Sequence, residues 1–278
     1  MNVAPRIRIV HLYPRHMSLY GDLGNVITLV ARLRARGLEA DVLPVHPGER
    51  PSLAEADILF MGGGQDRGQK LVAPHLQQLG ADIRELVSDG LPVLTICGGF
   101  QLFAHHFKTV DGEELPGISV FDGHTVGGTR RCIGNVVVDA TELFASWGGP
   151  TGAGASRDPA GSSAGDGATT LVGFENHSGL TYLSGSTRTL GPLLVGYGNL
   201  GDGSGEGAVL HNAVGTYLHG PILPKNPHLA DHLLLAALRR RFGVDVTLAP
   251  LDDAVEWQAH RAAVERARTA RTSHLFQS

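Results

Sequence analysis

The chain has 278 residues, of which 42% are hydrophobic, and a mean hydropathy of +0.00, which is typical of a folded globular protein rather than a disordered or membrane-embedded one. Its 23 lysines and arginines are interspersed with 27 aspartates and glutamates, so neither nucleic acid nor an anionic lipid surface is an expected partner. Its 2 cysteines are too few for a disulfide scaffold. No segment is long and apolar enough for membrane insertion, so we expect a cytoplasmic protein.

The N-terminal part of the chain alternates short apolar strands with amphipathic helices. We predict strands at 6–12, 40–45, 57–61 and 92–96. Helical spacing of apolar residues predicts helices at 23–37 and 71–87. This alternation is typical of βαβ units, so the pattern predicts an α/β fold with a mostly parallel sheet covered on both faces.

Shorter strand-like pieces follow, separated by glycine-rich turns, and these predict antiparallel additions to the sheet. They lie at 118–120, 132–138, 171–174, 193–197 and 208–211. The segment 147–169 is rich in glycine, alanine and serine, and we predict that it is a flexible surface insertion, because it has too few apolar side chains to offset the entropy lost on ordering.

Two helices are predicted to close the chain. The first runs from about Asn226 to Gly243, and the second, at 256–270, is highly charged. Because few apolar residues mark the second helix, we expect it to dock on a partner or to lie in solvent. The predicted organisation is one domain at 6–245 and a helical C-terminal extension at 246–278.

Cys97 is the first residue to which the sequence assigns chemistry. It follows the apolar strand at 92–96 and precedes Gly98 and Gly99, which open a predicted helix. A tight turn from strand to helix exposes the thiol, aims the helix N-terminus at it, and lets backbone N–H groups face a developing oxyanion. The alternative is a small buried hydrophobic residue at the end of a strand, but the double glycine favours a nucleophile.

A second glycine cluster, Gly62 to Gly64, ends the preceding predicted strand at the same edge of the sheet. Ligands gather at this edge in open α/β sheets. The cluster could supply a backbone N–H beside Cys97, cradle a phosphate, or form an ordinary flexible turn. The sequence contains neither GxGxxG nor GxxxxGK[ST], which disfavours phosphate binding.

A cysteine nucleophile needs a general base. Among the 14 histidines, His219 ends an apolar run and is followed by glycine and proline, which hold it on a rigid turn. His177 is the competing candidate. The other histidines form no metal-ligand spacing such as HExxH, so no metal site is expected.

Several motifs together resemble the class I, triad-type glutamine amidotransferases, and in particular the GatD family of the branch associated with cobyrinic acid synthesis. The motifs are SLYGDLGN at 18–25, GGGQDR at 62–67, TICGG at 95–99, VGFENH at 172–177 and GTYLHGPILPKN at 215–226. Similarity runs from about Arg8 to about Gly243, apart from the insertion. The cysteine motif is shared by many amidotransferases, whereas the first and last motifs are far more specific.

The resemblance implies a flavodoxin-like, three-layer domain that hydrolyses L-glutamine to glutamate and ammonia without a cofactor. It implies a heterodimer with a MurT-like Mur ligase subunit. That partner would use ATP to activate D-glutamate in the stem peptide of lipid II, so the complex would act on a lipid-linked substrate and yield D-isoglutamine.

Position by position, the resemblance implies that Cys97 is the nucleophile and His219 its base. Gly63 and Gly98 are the implied oxyanion donors. Arg131 matches an arginine that binds the glutamine substrate, although the adjacent Arg130 leaves the register open.

One position departs from the wider amidotransferase pattern. The usual triad has a glutamate two residues after the histidine, where this chain has Pro221. We therefore expect His219 to be less well oriented and the isolated chain to have low glutaminase activity. The GatD resemblance implies that an aspartate of the partner completes the triad.

Two alternatives remain open from the sequence. The chain could be a glutaminase subunit for another synthetase, such as one that performs a cobyrinic-acid-type amidation. It could also be a catalytically silent, flavodoxin-like binding module.

Overall fold

The computed structural model describes residues 6–148 and 169–275. The strands are β1 Arg6–Leu12, β2 Glu39–Val45, β3 Ile58–Met61, β4 Val93–Ile96, β5 His106–Lys108, β6 Glu114–Pro116, β7 Gly123–Asp139, β8 Thr170–Leu183, β9 Leu193–Val195, β10 Ala208–Leu210 and β11 Ala213–Thr216. The α-helices are α1 Leu23–Ala35, α2 Asp66–Ser88, α3 Gly98–Phe103, α4 Thr141–Ser146, α5 Pro227–Phe242 and α6 Ala254–Leu275. Among these described helices, none is both long and apolar enough to cross a membrane.

The main sheet has six strands in the order β2-β1-β3-β4-β11-β10. All neighbours are parallel except β10, which pairs antiparallel with β11. The carboxyl ends of β3, β4 and β11 therefore meet at one edge of the sheet, and the loops that leave them carry the candidate site.

The inner strands β3, β4 and β11 are buried at every residue, which is typical of a parallel sheet covered on both faces. Alternation along β1 turns Ile7 and Ile9 towards a core shared with α1 and α5. Val10 and Leu12 face the opposite core, which α2 completes. The predicted fold, a mostly parallel sheet with helices on both faces, is confirmed.

A second sheet has the order β6-β5-β7-β8, with β9 also paired to β7. The strands β7 and β8 form a long antiparallel pair that shifts register between Gly127 and Cys132. The pieces predicted at 132–138, 171–174 and 193–197 therefore lie in this separate sheet, whereas β10 joins the main sheet as an antiparallel addition. The predicted strand at 118–120 is wrong: Ile118 and Val120 are buried, but their N–H groups donate to the carbonyl groups of Leu102 and Phe103 at the end of α3, so no ladder forms.

The predicted insertion at 147–169 lies outside the described residues except at its ends. At its N-terminal end, Trp147 stacks on His232 of α5, with ring centroids 3.6 Å apart.

The C-terminal helix α6 packs on the rest of the chain, although the sequence had led us to expect it to dock on a partner or to lie in solvent. Trp257 is fully buried, and Val264 and Ala267 contact Val137 and Val172 of the second sheet. These three α6 residues share one face of the helix. Because the other faces carry few apolar side chains, the composition of the segment did not predict that this face is buried.

Candidate active site

Cys97 lies on the sharp turn between β4 and α3. Its backbone angles, φ 47° and ψ -105°, are strained for a residue with a side chain and cost about 1–3 kcal/mol. The turn is held in place because the Cys97 N–H donates to the carbonyl of Thr216, at 2.7 Å, and the Cys97 carbonyl accepts from the N–H of Gln101, at 2.9 Å. This is the geometry of a nucleophile elbow.

The two glycine turns are in direct backbone contact beside the thiol. A Cβ atom on Gly98 would lie 2.7 Å from the Gly64 carbonyl oxygen, and one on Gly99 would lie 2.8 Å from that of Gly62. Side chains at these positions would therefore force the turns apart. Gly98 is also the first residue of α3, where a backbone N–H has no acceptor within the helix.

His219 lies at the same edge of the sheet and is fully buried. Its N–H donates to the carbonyl of Phe174, at 2.7 Å, and its carbonyl accepts from the Phe174 N–H, at 3.2 Å, which ties the loop after β11 to β8. A methyl group on Gly63 would lie 2.7 Å from His219 Cε1 and 3.4 Å from Cys97 Cβ. The structure thus brings the predicted nucleophile, the predicted base and Gly63 together.

An acidic residue that sequence analysis missed lies beside the base. Asp22 is fully buried, and its Oδ1 is 3.5 Å from His219 Nδ1. Its Oδ2 accepts the N–H of Gly63 at 2.6 Å. The role of Gly63 as an oxyanion donor, which stays a prediction, therefore requires this N–H to be shared with Asp22 or released by it.

Pro221 explains how Asp22 reaches the site. The proline ring packs on Gly21 and Gly24, on either side of Asp22, and a Cβ atom on Gly24 would overlap that ring. Asn25 Oδ1 also accepts the N–H of Leu223, at 3.0 Å. Pro221, at the position where a triad acid was expected, thus packs on the segment that places the Asp22 carboxylate near His219.

The electrostatics of the site favour a charged imidazole. Burial alone would lower the pKa of His219, but the neighbouring Asp22 carboxylate and Cys97 sulfur outweigh it and raise that pKa to about 10. Nearby, burial raises the pKa of the Glu206 carboxyl to about 8, and this carboxyl accepts the N–H of Tyr217 at 2.6 Å.

Tyr20 covers His219 and connects it to the surface. The two rings meet edge to face with centroids 4.9 Å apart, and Tyr20 is 48% exposed. The Tyr20 hydroxyl accepts from Asn176 Nδ2 at 2.8 Å, and Asn176 Oδ1 accepts from Arg131 Nε at 2.9 Å. Sequence reasoning missed Tyr20 and Asn176, although both lie within the motifs that carried the family resemblance.

The predicted substrate arginine is therefore linked to the site by two intervening side chains. Its neighbour Arg130 turns elsewhere and stacks over the ring of Tyr197, at 5.0 Å from the ring centroid. Arg131, and not Arg130, is connected to the residues around His219.

His177, the competing base, is engaged in packing. Its ring stacks on Tyr217 with centroids 3.8 Å apart, Nδ1 lies 2.9 Å from the Gly179 carbonyl oxygen, and Nε2 lies 3.4 Å from Glu175 Oε2. These contacts give His177 a structural role.

Comparison with known proteins identifies the family. The sequence pattern of the CobB/CobQ-like glutamine amidotransferase domain matches residues 8–227. The chain belongs to this family. It is 35% identical to the Staphylococcus aureus lipid II isoglutaminyl synthase (glutamine-hydrolyzing) subunit GatD, over 96% of this chain and 98% of that protein. It is 32% identical to the Streptococcus pneumoniae protein of the same name, over 91% and 88%.

The resemblance to the GatD family is thus confirmed, and the chain is a glutamine-hydrolysing amidotransferase. A cobyric acid synthase of Pelotomaculum thermopropionicum is 28% identical over 81% of this chain but only 41% of its own length. A crystal structure of a glutamine amidotransferase covers 82% of this chain and 98% of its own at 17% identity, with a TM-score of 0.50, and agrees in fold.

Proposed function

We propose that this amidotransferase is the glutaminase subunit of a lipid II isoglutaminyl synthase. It hydrolyses L-glutamine and delivers ammonia to a MurT-like, ATP-dependent ligase that amidates D-glutamate in the stem peptide of lipid II. The observation that carries the proposal is the Cys97 elbow with His219 buried at the same edge of the sheet. It occurs in a chain that matches two GatD proteins over most of its length.

The first half of the reaction forms a thioester. The Cys97 thiolate attacks the side-chain amide carbon of glutamine, and the carbonyl oxygen becomes an oxyanion. The N–H of Gly98, with Gly63 as a second donor, stabilises it, each donor contributing about 3 kcal/mol. The His219 imidazolium then protonates the amide nitrogen as the C–N bond breaks, and ammonia leaves.

The second half returns the enzyme to its starting state. The neutral His219 takes a proton from water, the resulting hydroxide attacks the glutamyl thioester, and the C–S bond breaks. Glutamate leaves, Cys97 is again a thiolate, and His219 is again protonated.

Arg131 is proposed to bind the α-carboxylate of glutamine. Arg131 is exposed, and its Nε donates to Asn176 Oδ1 at 2.9 Å. A guanidinium recognises a carboxylate through paired, charge-assisted hydrogen bonds.

The proposal makes a general statement about the partner, that it is a separate ligase subunit, and a more specific one, that it is MurT-like. A separate ligase subunit follows from the names of the two GatD relatives, which describe subunits of a synthase. That the ligase is MurT-like, that it forms a heterodimer with this chain and that the complex is cytoplasmic are finer predictions, and co-purification of the chain with such a ligase tests the first two. The expectation that a partner aspartate completes the triad also stays a prediction, and ammonia release with and without the ligase tests it.

Labelling by the glutamine analogue 6-diazo-5-oxo-L-norleucine tests the chemistry. We expect one covalent adduct on Cys97 and none in Cys97→Ala, which should lose ammonia release while still binding the ligase. Cys132→Ala is the matched control, because Cys132 is buried in the second sheet and its removal should leave both activities. Ammonia release by Cys97→Ala would refute the assignment.

The same assay separates the alternatives. A silent binding module would form no adduct even with the ligase present. A subunit that serves a cobyrinic-acid-type synthetase would form the adduct but would not support amidation of lipid II by a MurT-like ligase.

A further inference from the structure

A strained turn holds the ring of Tyr20 over the candidate base. The φ of Tyr20, 52°, and its ψ, 27°, lie in the left-handed region, which a residue with a bulky side chain rarely adopts. Pro221 packs on the following Gly21, and the tyrosine ring meets His219 edge to face with centroids 4.9 Å apart. Backbone strain of this kind persists only where the surrounding contacts impose it, and it is concentrated at functional sites. The placement of Tyr20 therefore calls for a function.

The hydrogen bonds that link Tyr20 to Arg131 have a direction that the chemistry of their atoms determines. Arg131 Nε can only donate, so the atom of Asn176 that accepts from it, at 2.9 Å, is the amide oxygen. The amide nitrogen of Asn176 therefore faces Tyr20, and because an NH2 group only donates, the Tyr20 oxygen is its acceptor, at 2.8 Å. The hydroxyl proton of Tyr20 is not used in this chain of hydrogen bonds, and none of the described residues accepts it.

Arg131 supplies a second donor at the other end of this chain of hydrogen bonds. It is exposed, and within 6–148 and 169–275 no carboxylate forms an ion pair with it. Asn176 uses both halves of its amide on Tyr20 and Arg131, so the hydroxyl and the guanidinium are spaced by one amide group. A carboxylate suits two such donors, because both of its oxygens accept and a guanidinium binds it through charge-assisted hydrogen bonds.

The α-carboxylate of glutamine is the anion that these donors would meet. Three carbon atoms separate it from the side-chain amide carbon that Cys97 attacks, so the groups that bind it must lie away from the thiol. Tyr20 extends across this interval, since its ring contacts His219 and its hydroxyl contacts Asn176. A glutamine molecule that reaches from Cys97 to Arg131 therefore lies beside the Tyr20 hydroxyl.

We propose that Tyr20 binds the substrate: its hydroxyl donates a hydrogen bond to the α-carboxylate of glutamine, next to the guanidinium of Arg131. The inference rests on the proposed glutaminase function and adds a residue that recognises the carboxylate end of the substrate. The contact is the same in the bound substrate and in the transition state, since the α-carboxylate does not react. Its loss should therefore weaken binding and raise KM, with little change in kcat.

Tyr20→Phe is the decisive variant, because it removes the hydroxyl and keeps the ring that packs on His219. In ammonia release by the ligase complex, its KM for L-glutamine should rise about 10-fold or more, as expected when a hydrogen bond to a charged group is lost. Tyr182→Phe is the matched control. Tyr182 is 43% exposed and Tyr20 48%, but Tyr182 stacks on His124 in the second sheet, so KM should change by less than about 2-fold.

A second substrate tests which end of glutamine the hydroxyl binds. 4-Aminobutanamide carries the same side-chain amide but has a hydrogen atom in place of the α-carboxylate. Tyr20→Phe should lower kcat/KM for glutamine about 10-fold or more and change kcat/KM for 4-aminobutanamide by less than about 2-fold. A general disturbance of Cys97 or His219 would instead lower both values.

A purely structural role of the hydroxyl predicts a different result. If it served only to hold Asn176, Tyr20→Phe would have no further effect once Asn176 is replaced by alanine. A direct contact with the carboxylate predicts that Tyr20→Phe still raises KM for glutamine about 5-fold or more in the Asn176→Ala chain.

Three results would overturn the proposal. They are a KM for glutamine in Tyr20→Phe within about 2-fold of wild type, an equal loss of kcat/KM on both substrates, and no further effect of Tyr20→Phe in Asn176→Ala. Normal ammonia release by the wild type together with any of these results refutes the role of Tyr20 alone. A wild-type complex that releases no ammonia, and whose Cys97 forms no adduct with the glutamine analogue, refutes the proposed function and the role of Tyr20 with it.

Discussion

Replacing Gly63 by alanine places a methyl group at the centre of the site. The new Cβ atom would lie 2.7 Å from His219 Cε1, 3.2 Å from Asp22 Oδ2 and 3.4 Å from Cys97 Cβ. An ordinary contact begins near 3.4 Å, so the imidazole must retreat by about 0.7 Å. His219 is fully buried and bonded through its backbone to Phe174, so this movement takes it away from the reacting geometry.

A displacement of this size has a calculable consequence. Misplacing a catalytic group by about 1 Å can reduce the rate about 100-fold, which corresponds to about 2.7 kcal/mol of transition-state stabilisation. Overpacking should cost about 1–3 kcal/mol of stability, which a folded domain of this size tolerates. The expected result is a folded protein, by circular dichroism and thermal unfolding, whose ammonia release is about 10²-fold slower.

Gly134→Ala is the control for this experiment. Among the residues that the structure describes, a Cβ atom at Gly134 would meet only Tyr197, at 3.9 Å, so the rate should remain that of the wild type. A Gly63→Ala rate above about half that of the wild type would refute the reasoning, because the methyl group would then have been accommodated without moving His219.

Three further predictions follow from the surrounding structure. Arg131→Ala should raise KM for glutamine about 10-fold or more with little change in kcat, since a hydrogen bond to a charged group contributes about 1.5–3 kcal/mol, whereas Arg130→Ala should not. Asp253→Ala should lower the free energy of unfolding in urea by about 3 kcal/mol, because Asp253 pairs with buried Arg32 at 2.6 Å and its loss leaves an excess buried positive charge. Burial lowers the pKa of His228 from 6.5 to about 3, so the unfolded chain binds a proton that the folded chain does not, and stability falls as pH drops below 6.5. His228→Gln should reduce the loss of unfolding free energy between pH 7 and pH 5 by about 2 kcal/mol.

Each of these predictions has a result that would contradict it. Equal KM values for the Arg130 and Arg131 variants would contradict the assignment of Arg131 as the arginine that binds glutamine. Glu39→Ala breaks an exposed ion pair and should cost at most about 1 kcal/mol, so an Asp253→Ala loss no larger than that would show the buried pair to be unimportant. An identical pH dependence in wild type and His228→Gln would assign the acid sensitivity to other groups.

The main sheet could be predicted from the sequence because its inner strands are buried on both faces and its strands are bounded by turn residues. The predicted strand at 6–12 has the bounds of β1, and the strands predicted at 40–45, 57–61 and 92–96 differ from β2, β3 and β4 by one residue at the N-terminal end. The elbow at Cys97 could also be predicted, since a strand, a thiol and two glycines are adjacent in the chain.

What could not be predicted depends on contacts between distant segments. Asp22 lies in a motif with no local sign of chemistry, and its proximity to His219 appears only when Pro221 packs on Gly24. The segment at 118–120 has the composition of a strand, but tertiary burial against α3 decided its backbone conformation.

The packing of Pro221 on the segment before α1 determines when the site can form during synthesis of the chain. Cys97 and its glycine turns are made early, whereas the contact that joins Asn25 to Leu223 spans 198 residues of sequence. Until the segment at 215–226 has packed there, Cys97 and its candidate base belong to separate parts of the chain, and the site cannot form.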